Sequence, residues 1–419
     1  MHHLYILTRL LTAFVLVTSI NEAWASDAPQ SNSTALTETT IHQCELSRFK
    51  PVEQLPTVAE LPNPFLQGNG QPISHIDQWP CVRAHSRALF EQYELGEKPP
   101  RPKKVSGSLE GELLSVKASH LQQNIEFTAK VHYPTHGQAP YPAMISIGWF
   151  CLNKEALDKA GVAVIEFNNN EIGEQKDTGS RGKGKFYQLY GADHSASAMI
   201  AWSWGISRII DVLAESGQSQ IDATHIGVTG CSRNGKGAIV AGAFDERIAL
   251  TIAQESGSGG SASWRTSDAQ QAAGQNVQTQ QQIVTENVWF RDNFKQFSGQ
   301  TNKIPVDHHQ LMGLIAPRGL LVIENTSMEW LGNASTFLTA KVAHSIWQAL
   351  GVPQNMGVSQ LGGHKHCQYP DAQLPELNAY LSRFLLDDKS ADTQVLKTDG
   401  QFDTSVKKWM PWTVPDLHE

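Results

Sequence analysis

"THIGVTGCSRNGKGAIVAG", residues 224–242, decides the fold. "THIGVTG" reads as a strand, "KGAIVAGAF" as a helix, and the residues between them as a tight turn. Two chemistries use that arrangement. Counted from Gly230, a glycine, four residues, Gly235 and Lys236 approach a phosphate-cradling loop. Counted around Ser232, the same residues begin a nucleophile elbow, with the serine at the sharp turn from strand to helix. A phosphate loop needs Ser or Thr after its lysine to hold magnesium, and Gly237 occupies that place. An elbow needs small residues beside the serine, because the backbone is strained and strand and helix cross closely. Gly230 satisfies this on one side. On the other, Asn234 replaces the usual glycine; asparagine tolerates left-handed backbone, and Gly235 follows. The elbow is the stronger reading.

A serine needs a base and a carboxylate, which in this topology follow it in the order Ser, acid, His. "IALTIAQE" is the next strand and ends at Glu255, and "GVSQLGGHKHC" brings His364 and His366 after the last strand. Cysteine separates the two histidines. Cys231 precedes Ser232 and Cys367 follows His366, so a serine and histidine in contact carry their neighbours into disulfide range. A Cys231–Cys367 bridge is expected, and it selects His366.

Strands and helices alternate outward from this centre. "GELLSVKASH" and "NIEFTAKVHYP" alternate like exposed antiparallel strands, whereas "YPAMISIG" and "GVAVIEFN" are continuous apolar runs of the buried parallel kind. A long helix is predicted over residues 197–216, where Trp202 and Trp204 are read as core. "RGLLVIEN" and "MGVSQLGG" are further strands, and "TAKVAHSIWQALG" and "ELNAYLSRFLL" further helices. The expectation is a three-layer α/β body with a mostly parallel sheet over residues 41–388. Residues 41–104 form a Pro-rich arm with one helix in "CVRAHSRALFEQYELG". Residues 256–306, rich in Gly, Gln and Ser, are an insertion at the strand C-terminal edge, where sites in such sheets lie. The polar tail, 389–419, receives no assignment.

The chain of 419 residues is 40% hydrophobic, enough for a substantial core, and its charge of −8 comes with no basic block, so nucleic acid is not indicated. A small molecule or neutral polymer is the expected partner. Arg9, the apolar run "LLTAFVLVTSI" and Ala23-Trp24-Ala25 form a signal peptide over residues 1–25, followed by a polar leader over 26–40. Export to the periplasm or medium is expected, and no later stretch is long and apolar enough to span a bilayer. In an oxidising compartment the five cysteines allow two bridges and leave one thiol. No CxxC pair or tight His/Cys cluster points to a metal, and "VDHH" at 306–309 lacks a third ligand and is read as packing. "RGKGKFYQLYGADH", residues 181–194, is read as loop structure rather than an anion site.

Taken together, "GCSRNGKGA", "ALTIAQESGSGG", "ENVWF", "EWLG" and "GGHKHCQYP" resemble the glucuronoyl esterases, carbohydrate esterase family 15. "CVRAHSRALFEQYELG" and "RGKGKFYQLYGADHSASAMIAWSWGISRIID" extend the likeness, which runs from Cys44 to Leu386. The resemblance implies an α/β-hydrolase that cleaves, through an acyl-enzyme, the ester between glucuronic acid side groups of glucuronoxylan, often 4-O-methylated, and lignin alcohols. It implies no cofactor, and a monomer is expected.

Residue by residue, the resemblance makes Ser232 the nucleophile, His366 the base and Glu255 the acid. Some members carry the acid after the following strand, which brings in Glu324 or Glu329 as an assistant. The Arg233 N–H faces the oxyanion, and the resemblance adds its guanidinium as a second donor. It also places Lys236, Gln278, Glu286 and Trp330 on the sugar, and pairs Cys44 with Cys81, leaving Cys151 free. The rivals are an acetyl xylan or feruloyl esterase on the same fold, and a polysaccharide binder without turnover.

Overall fold

The computed structural model describes residues 44, 46, 48–216 and 220–418. The expected signal peptide and leader, 1–25 and 26–40, lie outside the described residues.

Ten strands form one sheet in the order β1-β2-β3-β5-β4-β6-β7-β8-β9-β10. In chain order they are β1 (Lys104–Glu110), β2 (Leu113–His120), β3 (Gln123–His132), β4 (Tyr141–Ile147), β5 (Ala163–Phe167), β6 (Ile221–Cys231), β7 (Ile248–Gln254), β8 (Gly319–Glu324), β9 (Met356–Gln360) and β10 (Leu396–Thr398). β1, β2, β3 and β5 pair antiparallel, and every pairing from β5 through β4 to β10 is parallel. Side-chain pattern explains the division. In β3 only alternate residues, Ile125, Phe127, Ala129 and Val131, are buried, as suits a strand with one wet face. In β7 and β8 both faces are covered, and the two-residue period sends neighbours into different cores. Leu320 and Val322 join the larger core, while Leu321 and Ile323 join the smaller one on the opposite face.

Helices supply both layers. On the larger-core side lie α1 (Trp79–Phe90), α2 (Ala198–Glu215), α3 (Arg233–Phe244) and α4 (Asn333–Ala349). The smaller core is closed by α5 (Leu374–Leu385) through Leu377, Tyr380, Leu381 and Leu385. Trp202 and Trp204 of α2 are completely buried.

Two strands carry no sequence signal. β1 begins where the arm was expected to end, and its residues are mostly exposed or half-buried, so no apolar period marks it. β10 belongs to the tail: it is a three-residue edge strand alongside β9, with Leu396 opposite Val358. Further on, Trp409 O accepts the Leu61 N–H at 3.0 Å and His418 O accepts the Ile76 N–H at 3.0 Å. The tail thus ties arm to sheet, by main-chain bonds that composition does not reveal.

"VDHH" is the other tie between arm and body. His308 is buried with Nε2 2.8 Å from Glu94 of the arm and Nδ1 donating to Gly260 O at 2.5 Å. Asp307 accepts from Arg265 Nη1 at 3.0 Å, and His309 Nε2 donates to Pro62 O at 2.8 Å. Asp307 and His308 are fully partnered and His309 is held through Nε2, so the cluster is fixed by contacts that cross from body to arm.

Candidate active site

Ser232 stands between β6 and α3 with φ 58° and ψ −127°. A non-glycine residue at positive φ is uncommon and marks a constrained turn. The glycines around it are required by contact. A Cβ on Gly230 would lie 2.4 Å from Asn234 O, and one on Gly235 would lie 2.7 Å from Gln254 O. Asn234 itself is a helical residue of α3 rather than a left-handed one, which corrects the sequence-based reason for its presence. Its side chain is buried, and Oδ1 accepts from Asn169 Nδ2 at 3.2 Å and Gln175 Nε2 at 3.3 Å. The polar side chain fastens the elbow to the loops after β5.

Glu255, one residue beyond β7, is fully buried and also has positive φ, 47°. Its Oε2 lies 2.6 Å from His366 Nδ1, and its Oε1 accepts the Cys367 N–H at 3.0 Å. A carboxylate on Nδ1 puts the proton there and leaves Nε2 as an acceptor. Cys367 is bonded to Cys231, with Cα atoms 5.8 Å apart, so the bridge joins the residue before Ser232 to the residue after His366. His364 makes its hydrogen bonds elsewhere: Nε2 donates to Leu361 O at 2.8 Å and its carbonyl accepts from Asn325 Nδ2 at 3.0 Å, while Nδ1 stands 3.9 Å from Glu255 Oε1, well beyond the 2.6 Å of His366. Cys44 is bonded to Cys81. The remaining cysteine, Cys151, is buried as a free thiol in contact with the Cys231–Cys367 bridge. Burial, followed by the Glu255 carboxyl, pushes its thiol up to about 12.

The two other acids do not join this pair. Among the described residues, no hydrogen bond or ion pair connects Glu324 or Glu329 to His366. Glu324 is buried and accepts from the Gly257 N–H at 3.2 Å, the Asn325 N–H at 3.1 Å and the Thr336 hydroxyl at 3.2 Å. Burial, with the Glu255 carboxyl beside it, pushes Glu324 up to about 8. Glu329 is exposed.

Arg233 is exposed, and its guanidinium carbon lies 5.5 Å from the centre of the Trp289 ring. Trp289 is held by Nε1 donating to Gln175 Oε1 at 2.8 Å, so Gln175 anchors both the elbow and the ring that supports Arg233. Trp289 was visible in sequence only as part of "ENVWF"; nothing local ties it to a residue far upstream.

Gln278, Glu286 and Trp330 converge. Gln278 Nε2 donates to Glu286 Oε2 at 2.7 Å, and the Gln278 N–H donates to Trp330 O at 3.0 Å. Trp330 is 36% exposed. Lys236 also has a structural role: it is buried, and Nζ donates to Ser256 O at 2.5 Å and Ser258 O at 2.8 Å. Two of its three N–H groups hold the loop after β7, leaving one for any other partner. Burial lowers its ammonium to about 8, against the Glu324 and Glu286 carboxyls, which raise it. Among the described residues, one trio meets the spacing of a metal site, Cys231, His366 and Cys367, and its two sulfurs are already joined to each other.

The sheet and the strand–serine–helix turn define an α/β-hydrolase. Within that class, the family model described as "Glucuronyl esterase, fungi" matches residues 116–351. A 4-O-methyl-glucuronoyl methylesterase of Thermothelomyces thermophilus is 44% identical over 406 residues, covering 96% of this chain and 97% of the relative. The glucuronoyl esterase catalytic domain of Hypocrea jecorina superposes with a TM-score of 0.83 at 46% identity, covering 87% of this chain and 99% of that one. A serine-to-alanine variant of the Sporotrichum thermophile glucuronoyl esterase, in complex with methyl 4-O-methyl-β-D-glucopyranuronate, superposes with a TM-score of 0.84 at 44% identity over 90% of this chain and 100% of that one. The chain belongs to the glucuronoyl esterase family.

Proposed function

We propose that the protein is an exported serine esterase that hydrolyses the ester between a glucuronic acid side group of glucuronoxylan, with or without its 4-O-methyl group, and a lignin alcohol. The observation that carries the reading is the Glu255–His366 contact of 2.6 Å, clamped beside the elbow by the Cys231–Cys367 bridge. The relative bound to a methyl uronate ester supports the acyl half of the substrate.

Ser232 Oγ attacks the uronoyl carbon while His366 Nε2 takes its proton. Glu255 keeps the imidazole in the required tautomer and stabilises its charged form. The tetrahedral oxyanion is received by the Arg233 N–H and guanidinium, the latter supported on Trp289. His366 returns the proton to the departing alcohol, and water frees the acyl group by the same steps. Gln278, Glu286 and Trp330 hold the sugar, with one N–H of Lys236 beside them. Export rests on the signal peptide at 1–25. A single chain supplies every residue named, consistent with a monomer.

The test is turnover of methyl and benzyl glucuronate by the wild type and Ser232→Ala, with acetylated xylan as control. Loss of activity in the variant is expected. An equally active variant, or a wild type that prefers the acetyl ester, overturns the reading.

A further inference from the structure

An ester has two halves, and the residues named so far address only the acid. Trp149 is 62% exposed, far more than the 36% of Trp330. An exposed indole can offer a ligand its apolar face when it borders a site. Trp149 does so. It lies in the loop after β4, the strand beside β6, and its neighbour Gly148 is packed so tightly on the elbow that a Cβ there would stand 2.6 Å from Asn234 Nδ2. On its other side Cys151 packs into the Cys231–Cys367 bridge, with Sγ 3.4 Å from Trp149 O. The exposed ring therefore has a fixed root close to Ser232.

From Trp149 a groove of about 690 Å³ runs across the C-terminal ends of β4 and β5 to the β1–β2 turn, lined by Leu113, Lys130, Glu112, Glu166 and Asn168 among others. The strand order places it on the β4–β5 side of the nucleophile, whereas Gln278, Glu286 and Trp330 follow β7 and β8 on the other. The groove walls carry Glu110, Glu112 and Glu166, and the lining ammonium, Lys130, is already paired with Glu112 at 3.7 Å, as Glu166 is with Lys154 at 3.7 Å. A further uronate therefore finds no unpaired lining ammonium to receive it, whereas an uncharged aromatic alcohol needs none. Leu113, 54% exposed, and the Trp149 ring offer that alcohol the only large apolar surfaces of the groove that are open to solvent.

We infer that the groove headed by Trp149 binds the aromatic ring of the ester's alcohol half, making Trp149 a residue that sets alcohol preference; this rests on the esterase reading above. With the uronate held beyond β7 and β8 and the carbonyl at Ser232, the alcohol extends toward β4 and stacks on the indole.

The experiment compares kcat/KM for benzyl and methyl glucuronate in the full chain, for wild type, Trp149→Ala and Trp149→Phe. The benzyl-to-methyl ratio is expected to fall about tenfold in Trp149→Ala and to stay within about twofold of wild type in Trp149→Phe. An unchanged ratio in Trp149→Ala, or an equal fall for both esters, overturns this inference while leaving the esterase reading intact. A wild type inert on both esters overturns both. A loss specific to a methyl-esterified glucuronoxylan oligosaccharide assigns the groove to the sugar chain and overturns the aromatic assignment.

Discussion

Glu324 and Glu255 stand at neighbouring strand tips, brought together by the register that sets Gln254 opposite Ile323, and they differ in their partners. Glu255 holds His366; Glu324 is ringed by two main-chain N–H groups and a hydroxyl. Raised to about 8 from an ordinary 4.5, Glu324 binds a proton in the fold at pH values where the unfolded chain has released it. Its contribution to stability is therefore complete below about pH 4.5 and is lost as pH rises through about 8. The melting temperature of Glu324→Gln minus that of wild type should climb between pH 5 and pH 8 and level off above. A flat difference refutes the assignment.

Glu255→Gln keeps an acceptor for the Cys367 N–H but removes the carboxylate from the imidazole. A fall in kcat on the order of 10³–10⁴, with KM little changed, is expected from steady-state kinetics on methyl glucuronate. A loss below tenfold removes Glu255 from the reaction.

The Cys231–Cys367 bridge closes 136 residues of chain. Replacing both cysteines by serine should cost about 2–5 kcal/mol in urea unfolding. It should also lower kcat, because the residues at and after His366 then lose their covalent tie to the elbow and keep only the Glu255 contacts there. Unimpaired kcat in a destabilised variant makes the bridge a matter of stability only.

Lys236 and Trp330 separate scaffold from substrate contact. Lys236→Met leaves two buried carbonyls without their donor and should destabilise by about 2–3 kcal/mol while also raising KM. Trp330→Ala removes a half-exposed ring and should raise KM for glucuronate esters severalfold with little change in melting temperature. Equal stability of the two variants contradicts the scaffold role of Lys236.

Sequence exposed most of this architecture where the information is local. The apolar runs of β4 to β9, the helix with Trp202 and Trp204, the elbow, and the choice of His366 through its cysteine neighbour could all be read within a few residues. What stayed hidden depends on partners far along the chain. The scaffold role of Lys236 was hidden because nothing near it in sequence announces the Ser256 and Ser258 carbonyls it holds. Asn234 was explained by backbone tolerance because its true partners, Asn169 and Gln175, lie 65 and 59 residues upstream. β1 and β10 escaped because exposed edge residues carry no apolar period. Trp289 met the same fate as a support for Arg233.

The three sulfurs beside the nucleophile have one more consequence. A free thiol touching a disulfide is placed for exchange, in which its thiolate displaces one sulfur and releases the other. Were Cys151 to displace Cys367, the segment bearing His366 would come loose with no external reductant involved. With its thiol pushed up to about 12 by burial and then by the Glu255 carboxyl, Cys151 stays protonated at neutral pH and is a poor attacking group. Burial and the Glu255 carboxyl thus guard the pairing, and the acid that orients the histidine also keeps the bridge from being scrambled.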